Sequence, residues 1–439
     1  MIRIGSGAGF SGDRLEPAVV LAEKGNLDYL VLECLAERTI ALAQKRKMQD
    51  PTQGFDPLLE RRMNALLPLI QKKGFRLITN MGAANPISAA EKIVQLAKEK
   101  GISIKVAAVT GDDVLDHITK DQHTLEFDEP LSNLGTLISA NAYMGVDAIL
   151  PALDTGADII VTGRVADPSL FLAPMIYHYD WADEDLDKIA QGTVVGHLLE
   201  CAGQITGGYF ADPGKKEVPQ LSELGFPFAD IAPDGKAVIC KVEGTGGVIH
   251  LGTVKEQLLY EVTNPAQYLT PDVTADFTTV KLRQLSKDRV EVSGGTGLTK
   301  SETLKVSVGY HAGYMGEGEI SYAGSNALAR AQLAGEMIRE RLREYIPELR
   351  VDYIGSTSVH RTTFGKLADP YEIRLRVAGK TRNREEAAKI GEEVEALYTN
   401  GPAGGGGARK YVSEVIGIAS VLIPREKVQP QIIVRENAE

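Results

Sequence analysis

The sequence predicts an α/β fold: a mostly parallel sheet with crossover helices, followed by a C-terminal α+β domain of split βαβ type. Three observations predict it. Short apolar runs alternate with amphipathic helical stretches through the first third of the chain, the rhythm of a parallel sheet with helical crossovers. Those runs end in polar, often glycine-rich turns. Towards the C-terminus the rhythm changes to strand, strand, helix, strand, strand, helix, which fits an α+β layer.

Residues 2–6 read as the first strand. A helix is expected over 14–25, with Asp13 as N-cap and Glu16 three residues on, the capping-box spacing. A strand at 27–33 follows, then a helix at 37–48 whose basic last turn suits the helix dipole. Next come a strand at 75–79, a helix at 87–100 led by Pro86 and Ser88, and a strand at 102–109. Residues 134–144 read as helical and 157–162 as a further strand. Past 190, residues 196–204 read as a helix ended by Thr206-Gly207-Gly208. A strand at 238–241 and a helix at 254–262 complete a first domain, 1–285, that carries the candidate site. The second domain, 286–439, has expected strands at 304–310, 319–322, 351–356, 371–378 and 431–434. Its expected helices lie at 326–345 and 384–397, residues 414–422 mix apolar and small side chains, and Gly404 to Gly407 reads as a flexible loop.

The composition of the 439 residues is 43% hydrophobic and 24% charged, the balance of a globular chain rather than a disordered one. A net charge of -11 repels a phosphate backbone, which argues against nucleic acid as a partner. Three sparse cysteines, Cys34, Cys201 and Cys240, make no disulfide framework and fit a reducing compartment. No apolar run approaches the length of a membrane span. A cytoplasmic protein is expected.

Ligands bind at the carboxyl ends of parallel strands, so the turns there are the candidate site. Gly7 to Gly12 matches G-x-G-x-x-G after a strand, and Glu33 lies 21 residues past Gly12, where a dinucleotide fold keeps its ribose-binding acid. Against an NAD site, the helix is expected to open only near Asp13, and Pro17 would lie deep inside one that began earlier. Residues 294–301 resemble a phosphate loop but carry Thr299 where glycine is required, and read as a hairpin turn. His197 and Cys201 share a helix face, with Glu200 beside them. A metal would need a third ligand from elsewhere, whereas acid–base work needs only burial and a tuning neighbour. A hydrogen-bonded histidine on a half-buried helix face explains the same spacing. Asp112-Asp113 fit either helix capping or Mg²⁺ held through one carboxylate. Arg164, just past a buried strand, suits a bidentate grip on carboxylate or phosphate, or an internal ion pair with Asp167. There is no nucleophile elbow of the G-x-S-x-G type.

Together these segments resemble the acyclic-terpene-utilisation, AtuA-like family. The resemblance is carried by Gly9-Phe10-Ser11-Gly12-Asp13-Arg14, Leu35-Ala36-Glu37-Arg38-Thr39, the run from Thr79-Asn80-Met81-Gly82 to Asn85-Pro86, and Gly111-Asp112-Asp113. It continues through Thr162-Gly163-Arg164-Val165-Ala166-Asp167, Gly196-His197-Leu198-Leu199-Glu200-Cys201, Thr206-Gly207-Gly208 and Gly244-Thr245-Gly246-Gly247. Relatives tend to have Ala or Ser near position 7, so the G-x-G-x-x-G match is accidental, and Asp-Tyr where this chain has Glu33-Cys34. The resemblance implies a catabolic protein that accompanies acyl-CoA carboxylases. Some relatives carry a further C-terminal domain that this chain is too short to hold, which implies a separate small partner subunit.

The expectation is a hydro-lyase acting on a small hydroxy- or unsaturated acid or its CoA thioester, CoA entering only as part of the substrate. Glu33 and Glu37 are the candidate bases, and His197 and Glu200 the candidate proton donors. Arg164 is expected to hold a carboxylate or phosphate, and backbone N–H groups of Gly82, Gly207 and Gly246 to serve an oxyanion. Asn80 and Asn85 are expected to orient the substrate, with Asp13, Arg14, Asp112 and Asp167 around it. An NAD-dependent oxidoreductase and a non-catalytic subunit of a catabolic complex are the alternatives. A homo-oligomer, most simply a two-fold dimer, is the expected assembly.

Overall fold

The computed structural model describes residues 1–346, 348–360 and 370–437. The chain divides into two compact units. One comprises Met1–Leu131, Ile138–Gly309 and Ile418–Glu439, the other Ser132–Leu137 and Tyr310–Gly417.

The first unit is built on strands β1 (Ile2–Ala8), β2 (Tyr29–Leu32), β3 (Arg76–Thr79) and β4 (Lys105–Thr110), with β5 (Leu137–Ala142) off the main sheet and β6 (Ile159–Thr162) within it. Strands β1, β2, β3, β6 and β4 lie side by side in that order and all run parallel. Antiparallel strands extend both edges: β7 (Pro227–Ile231) and β8 (Ala237–Lys241), then Arg289–Ser293 and Lys281–Ser286, lie beyond β1, and Gln431–Glu436 lies beyond β4.

Side chains along the parallel strands alternate between two apolar layers. Leu30, Leu32, Leu77, Val106, Ala108, Ile159 and Val161 pack beneath α1 (Glu16–Lys24), which α2 (Glu37–Gln49) follows in the chain, and beneath α3 (Leu59–Lys73) and α4 (Pro86–Glu99). Tyr29, Val31, Ile78, Ala107, Val109 and Ile160 pack beneath α5 (Val146–Asp154), α6 (Ser169–Tyr179) and α7 (Leu186–Glu200). A strand buried on both faces reads as a continuous apolar run, which is why these strands were visible in the sequence. Each buried Leu, Ile or Val adds about 1.5–3 kcal/mol, so the sheet is a rigid floor for the loops at its carboxyl edge.

In the second unit the strands Leu349–Ile354, Glu372–Thr381, Thr303–Ala323 and Gly406–Pro424 lie in that spatial order. Helices Ala327–Leu342 and Arg384–Asn400 cover one face through Ile338, Ile390 and Val394. Strand–helix–strand twice over is the expected split βαβ pattern.

Several elements differ from expectation. Residues 134–144, expected to be helical, hold the strand β5 (Leu137–Ala142) and no helix. Apolar side chains at Leu134, Leu137 and Ile138 imitate a helical face, but pairing with Thr303–Ala323 decides the conformation. The expected strands at 304–310 and 319–322 are one strand, Thr303–Ala323, and 414–422 lies within Gly406–Pro424. Gly406 and Gly407 of the expected flexible loop open that strand. Residues 294–301 are no hairpin. Arg289–Ser293 belongs to the large sheet and Thr296–Leu298 pairs with Thr274–Asp276 in another, the chain crossing over at Gly294, whose φ is +87°. The helix α3 had no forecast, and α7 starts ten residues before the helix expected at 196.

Candidate functional site

Five loops leave the carboxyl ends of β1, β2, β3, β6 and β4, and the first two, with the loop after β6, open on a cavity of about 790 Å³. Asp13, Arg14, Glu33, Glu37, Arg164, Asp167 and Glu200 line it.

The loop after β1 is shaped by contact with its own backbone. A Cβ on Gly9 would sit 2.6 Å from the carbonyl carbon and 2.8 Å from the Cα of Cys201. The Asp13 carboxylate ties the loop by accepting from the N–H of Gly9 (2.9 Å) and of Arg14 (2.8 Å). Arg62, 1% exposed, donates to the carbonyls of Ser11 and Asp13 from below. Asp13 therefore braces a turn and caps no helix. Helix α1 begins at Glu16, with Pro17 in its first turn where the missing N–H costs nothing. No helix N-terminus meets the glycines, and Glu33 is turned inward, so the geometry of a dinucleotide fingerprint is absent here. Gly9→Ala is expected to destabilise the protein by about 1–3 kcal/mol, because neither backbone can yield cheaply. Chemical denaturation measures it, and an unchanged midpoint would contradict the close approach.

Glu33 follows β2 and is 7% exposed. Its Oε1 accepts from Asn80 Nδ2 (2.9 Å) and from the N–H of Leu35 (2.8 Å). Asn80 Oδ1 in turn accepts from the N–H of Cys34 (2.7 Å), so Asn80 orients the carboxyl from behind. Burial, with the nearby Asp167 charge, holds the Glu33 carboxyl well above the usual carboxylate range, against the opposing pull of Arg164. Glu37 differs. Its carboxylate accepts from the Tyr143 hydroxyl and lies 3.5 Å from Lys305 Nζ. Burial would raise its pKa, but Tyr143, backbone donors and the cations Arg164 and Lys305 hold it below the ordinary value, which makes it a poor base.

Arg164 is 1% exposed, and each of its side-chain nitrogens donates to the protein. Nε donates to the carbonyl of Val165 (2.9 Å), Nη1 to the carbonyl of Leu35 and Nη2 to the Asp167 carboxylate. Its guanidinium carbon stands 4.3 Å from the centre of the Tyr143 ring. The expected grip on a substrate carboxylate is thus replaced by an internal ion pair. Asp112 supports the same residue: its Oδ2 accepts from the Arg164 N–H and from Asn141 Nδ2, both 2.9 Å, which spends this oxygen on the protein. Among the described residues, no group of three or more His, Cys, Asp or Glu side chains is arranged to hold a metal ion.

Helix α7 is buried from Ile189 to Leu199 because small residues let it pack against α6. A Cβ on Gly196 would stand 2.7 Å from the carbonyl oxygen of Pro168. That burial carries His197, 1% exposed, into the interior and puts Glu200 at the helix end, on the cavity. His197 Nε2 lies 3.0 Å from the carbonyl oxygen of Gln257, which only accepts, so Nε2 carries a hydrogen. Nδ1 lies 2.8 Å from Glu200 Oε1, so one proton sits between these two groups. Glu200 Oε2 is buried and has no protein partner. Burial pushes Glu200 up to about 7, against the pull of His197. Burial lowers His197, but Glu200 and the carbonyls of Gln257 and Leu258 outweigh it, and its pKa is raised overall. The Cys201 thiol, pushed up by burial and by Glu200, is no thiolate nucleophile.

The other expected residues lie elsewhere. Asn85 caps α4 through Ser88 and donates to the carbonyls of Pro51 and Gln53. Gly82 is buried against the carbonyl of Thr162. The N–H groups of Gly207 and Gly246 are spent on the carbonyls of Gln204 (3.0 Å) and Glu223 (2.8 Å), leaving neither for an oxyanion. The cavity adds Gln204, Tyr209, Tyr260 and Glu261; none of them was an expected site residue, though Tyr260 and Glu261 belong to the segment 256–261 that shares in the family resemblance. A second cavity of about 400 Å³ shares Asp167 and is lined by Tyr143, Tyr268, Leu304 and Lys305.

Asp112 and Asp272 are each pushed up to about 6 by burial, and Glu200 to about 7. A carboxyl whose pKa is higher folded than unfolded adds stability that is complete below its unfolded value and lost as pH rises through the folded one. His197, also raised, acts in the same direction, and Glu37, lowered, opposes it. The melting temperature is expected to be higher near about pH 5 than near about pH 8. A scan showing the reverse order would refute carboxyls raised by burial in the folded chain.

No helix among the described residues is long and apolar enough to cross a membrane. No curated protein and no solved structure matches the chain. The family model described as acyclic terpene utilisation family protein AtuA matches residues 2–434, nearly the whole length, and the chain belongs to that family.

Proposed function

We propose that this chain is a catabolic enzyme, a hydro-lyase that adds water to or removes it from a small acyl compound. The carrying observation is the His197–Glu200 pair. It places a carboxyl poised near neutrality on a cavity whose other buried carboxyl, Glu33, is held well above the usual carboxylate range by burial. An acid or base works best when its pKa lies near the working pH. In dehydration of a 3-hydroxyacyl compound, the C2–H and C3–O bonds break, a C2=C3 bond forms and water leaves. Glu200, backed by His197, takes the C2 proton and returns one to the departing hydroxyl. The protonated Glu33 donates to the acyl oxygen as it gains negative charge. Asn80 and Arg164 act as positioning residues for Glu33 and Asp167. Membership of a terpene-utilisation family supports a catabolic role. The cytoplasm as compartment, a homodimer and a small partner subunit complete the proposal.

The test incubates purified protein with 2,3-unsaturated and 3-hydroxyacyl thioesters in deuterated water, following enoyl absorbance and deuterium at C2. Interconversion with C2 labelling is expected. Neither hydration nor labelling across the panel, with and without candidate partner subunits, would sink the hydro-lyase reading.

A further inference from the structure

Charge inside the main cavity restricts what can enter it. Its lining carries six carboxyl groups, on Asp13, Glu33, Glu37, Asp167, Glu200 and Glu261, against two guanidinium groups, on Arg14 and Arg164. Arg164 has every nitrogen donating to the protein. Arg14 stands at the exposed mouth, its side chain 54% exposed, with Nη1 donating to the carbonyl of Ser222. Nearby Lys305 is drawn to Glu37. Among the described residues, no cation that faces the inner cavity lacks a partner in the protein, and a carboxylate buried there would have no counter-charge of its own to offset its desolvation.

The carboxyl oxygens left without partners point the same way. Both hydrogen bonds of Glu33 enter Oε1, which leaves Oε2 for the cavity that Glu33 lines. Glu200, which also lines this cavity, keeps its Oε2 buried without a hydrogen-bond partner in the protein, a second unspent carboxyl oxygen beside it. A carboxyl that keeps its proton is a hydrogen-bond donor, and its natural partner is an uncharged carbonyl oxygen. The burial that raises the Glu33 carboxyl well above the usual carboxylate range favours its protonated, donating form.

We infer that the inner cavity takes the uncharged carbonyl end of a thioester, ester or amide and rejects the corresponding free carboxylate, any anionic handle of the ligand staying at the mouth beside Arg14. This rests on the acyl-ligand reading above but not on the hydration step. A free acid, in this view, is a poor ligand until it is esterified.

The test is equilibrium binding of one short acyl skeleton presented in three forms to the full chain at about pH 8: the carboxylate, the N-acetylcysteamine thioester and the corresponding primary amine. The thioester is expected to bind at least about tenfold more tightly than the carboxylate, with the gap narrowing as pH falls and the acid becomes neutral. Equal or tighter binding of the carboxylate overturns the inference. Tightest binding by the amine overturns it in favour of a cationic ligand, and no binding by any member overturns it as well. A second arm uses Asp167→Ala, which releases Nη2 of Arg164. Carboxylate affinity is expected to rise at least about tenfold in a variant whose circular dichroism matches the parent. An unchanged carboxylate affinity there overturns the assignment, and if the variant does not fold, the three-form series on the parent decides alone. Thioester preference without hydration would leave this inference standing and remove the hydro-lyase. Hydration of a tightly bound free acid would do the reverse.

Discussion

Replacing Arg164 with methionine is expected to destabilise the folded chain by about 3–5 kcal/mol, the usual result of breaking one side of a buried ion pair. The guanidinium is 1% exposed and joins three partners, the carbonyls of Val165 and Leu35 and the carboxylate of Asp167. It also stacks over Tyr143. Methionine refills much of the volume but leaves Asp167 beside Glu33 and Glu37 without its main counter-charge. Pairing the change with Asp167→Asn removes the orphaned carboxylate and is expected to recover part of the loss. Lysine is a poor substitute, because a point charge cannot serve three separated acceptors as a planar fork does. Urea unfolding of the single and double variants measures all three. A single variant within about 0.5 kcal/mol of the parent, the range of ordinary surface changes, would show that the pair does not hold the loops together.

Glu200→Gln is expected to lower turnover in the hydration assay by about 10²–10⁴-fold, the usual contribution of a positioned acid or base. KM is expected to change little, since the amide keeps the shape of the carboxyl. Stability moves the other way. Ionising Glu200 above about 7 costs the native state, so the glutamine variant is expected to be no less stable than the parent at about pH 8. This separates a chemical role from a structural one: a merely structural Glu200 would lose stability and activity together. The limb of the parent's pH–rate profile near 7 is expected to disappear in the variant. Persistence of that limb would assign it to another group, with the paired His197 the first to examine.

Much of the site's frame was legible because the parallel strands are apolar on both faces. Leu30 to Leu32, Leu77 to Thr79 and Val106 to Val109 announce themselves as runs, and the turns after them follow from that. The His197–Glu200 pairing was also legible, since positions three apart on a helix are neighbours. Its depth was not, because burial of α7 depends on α6 meeting it at Gly196.

Residues brought in by long-range pairing left no local trace. Tyr143 is placed by β5 pairing with Thr303–Ala323, a contact that overrides a helix-like spacing. Glu261 reaches the cavity from a left-handed backbone position (φ 58°) after the helix Leu251–Leu259. The sequence by itself determined a parallel α/β core, a split βαβ unit and the loops that bear the site, because those follow from local periodicity and apolar content. Only the tertiary structure decided that Arg164 is an internal tie rather than a substrate clamp, that Asp13 braces a turn, and that the edge strand Gln431–Glu436 lies beside β4. The carboxylate partner of Arg164 and the N–H partners of Asp13 are close in the chain, so what the fold alone supplies is the distant part: the Leu35 carbonyl on Arg164, Arg62 beneath the Asp13 turn, and β4 beside the edge strand.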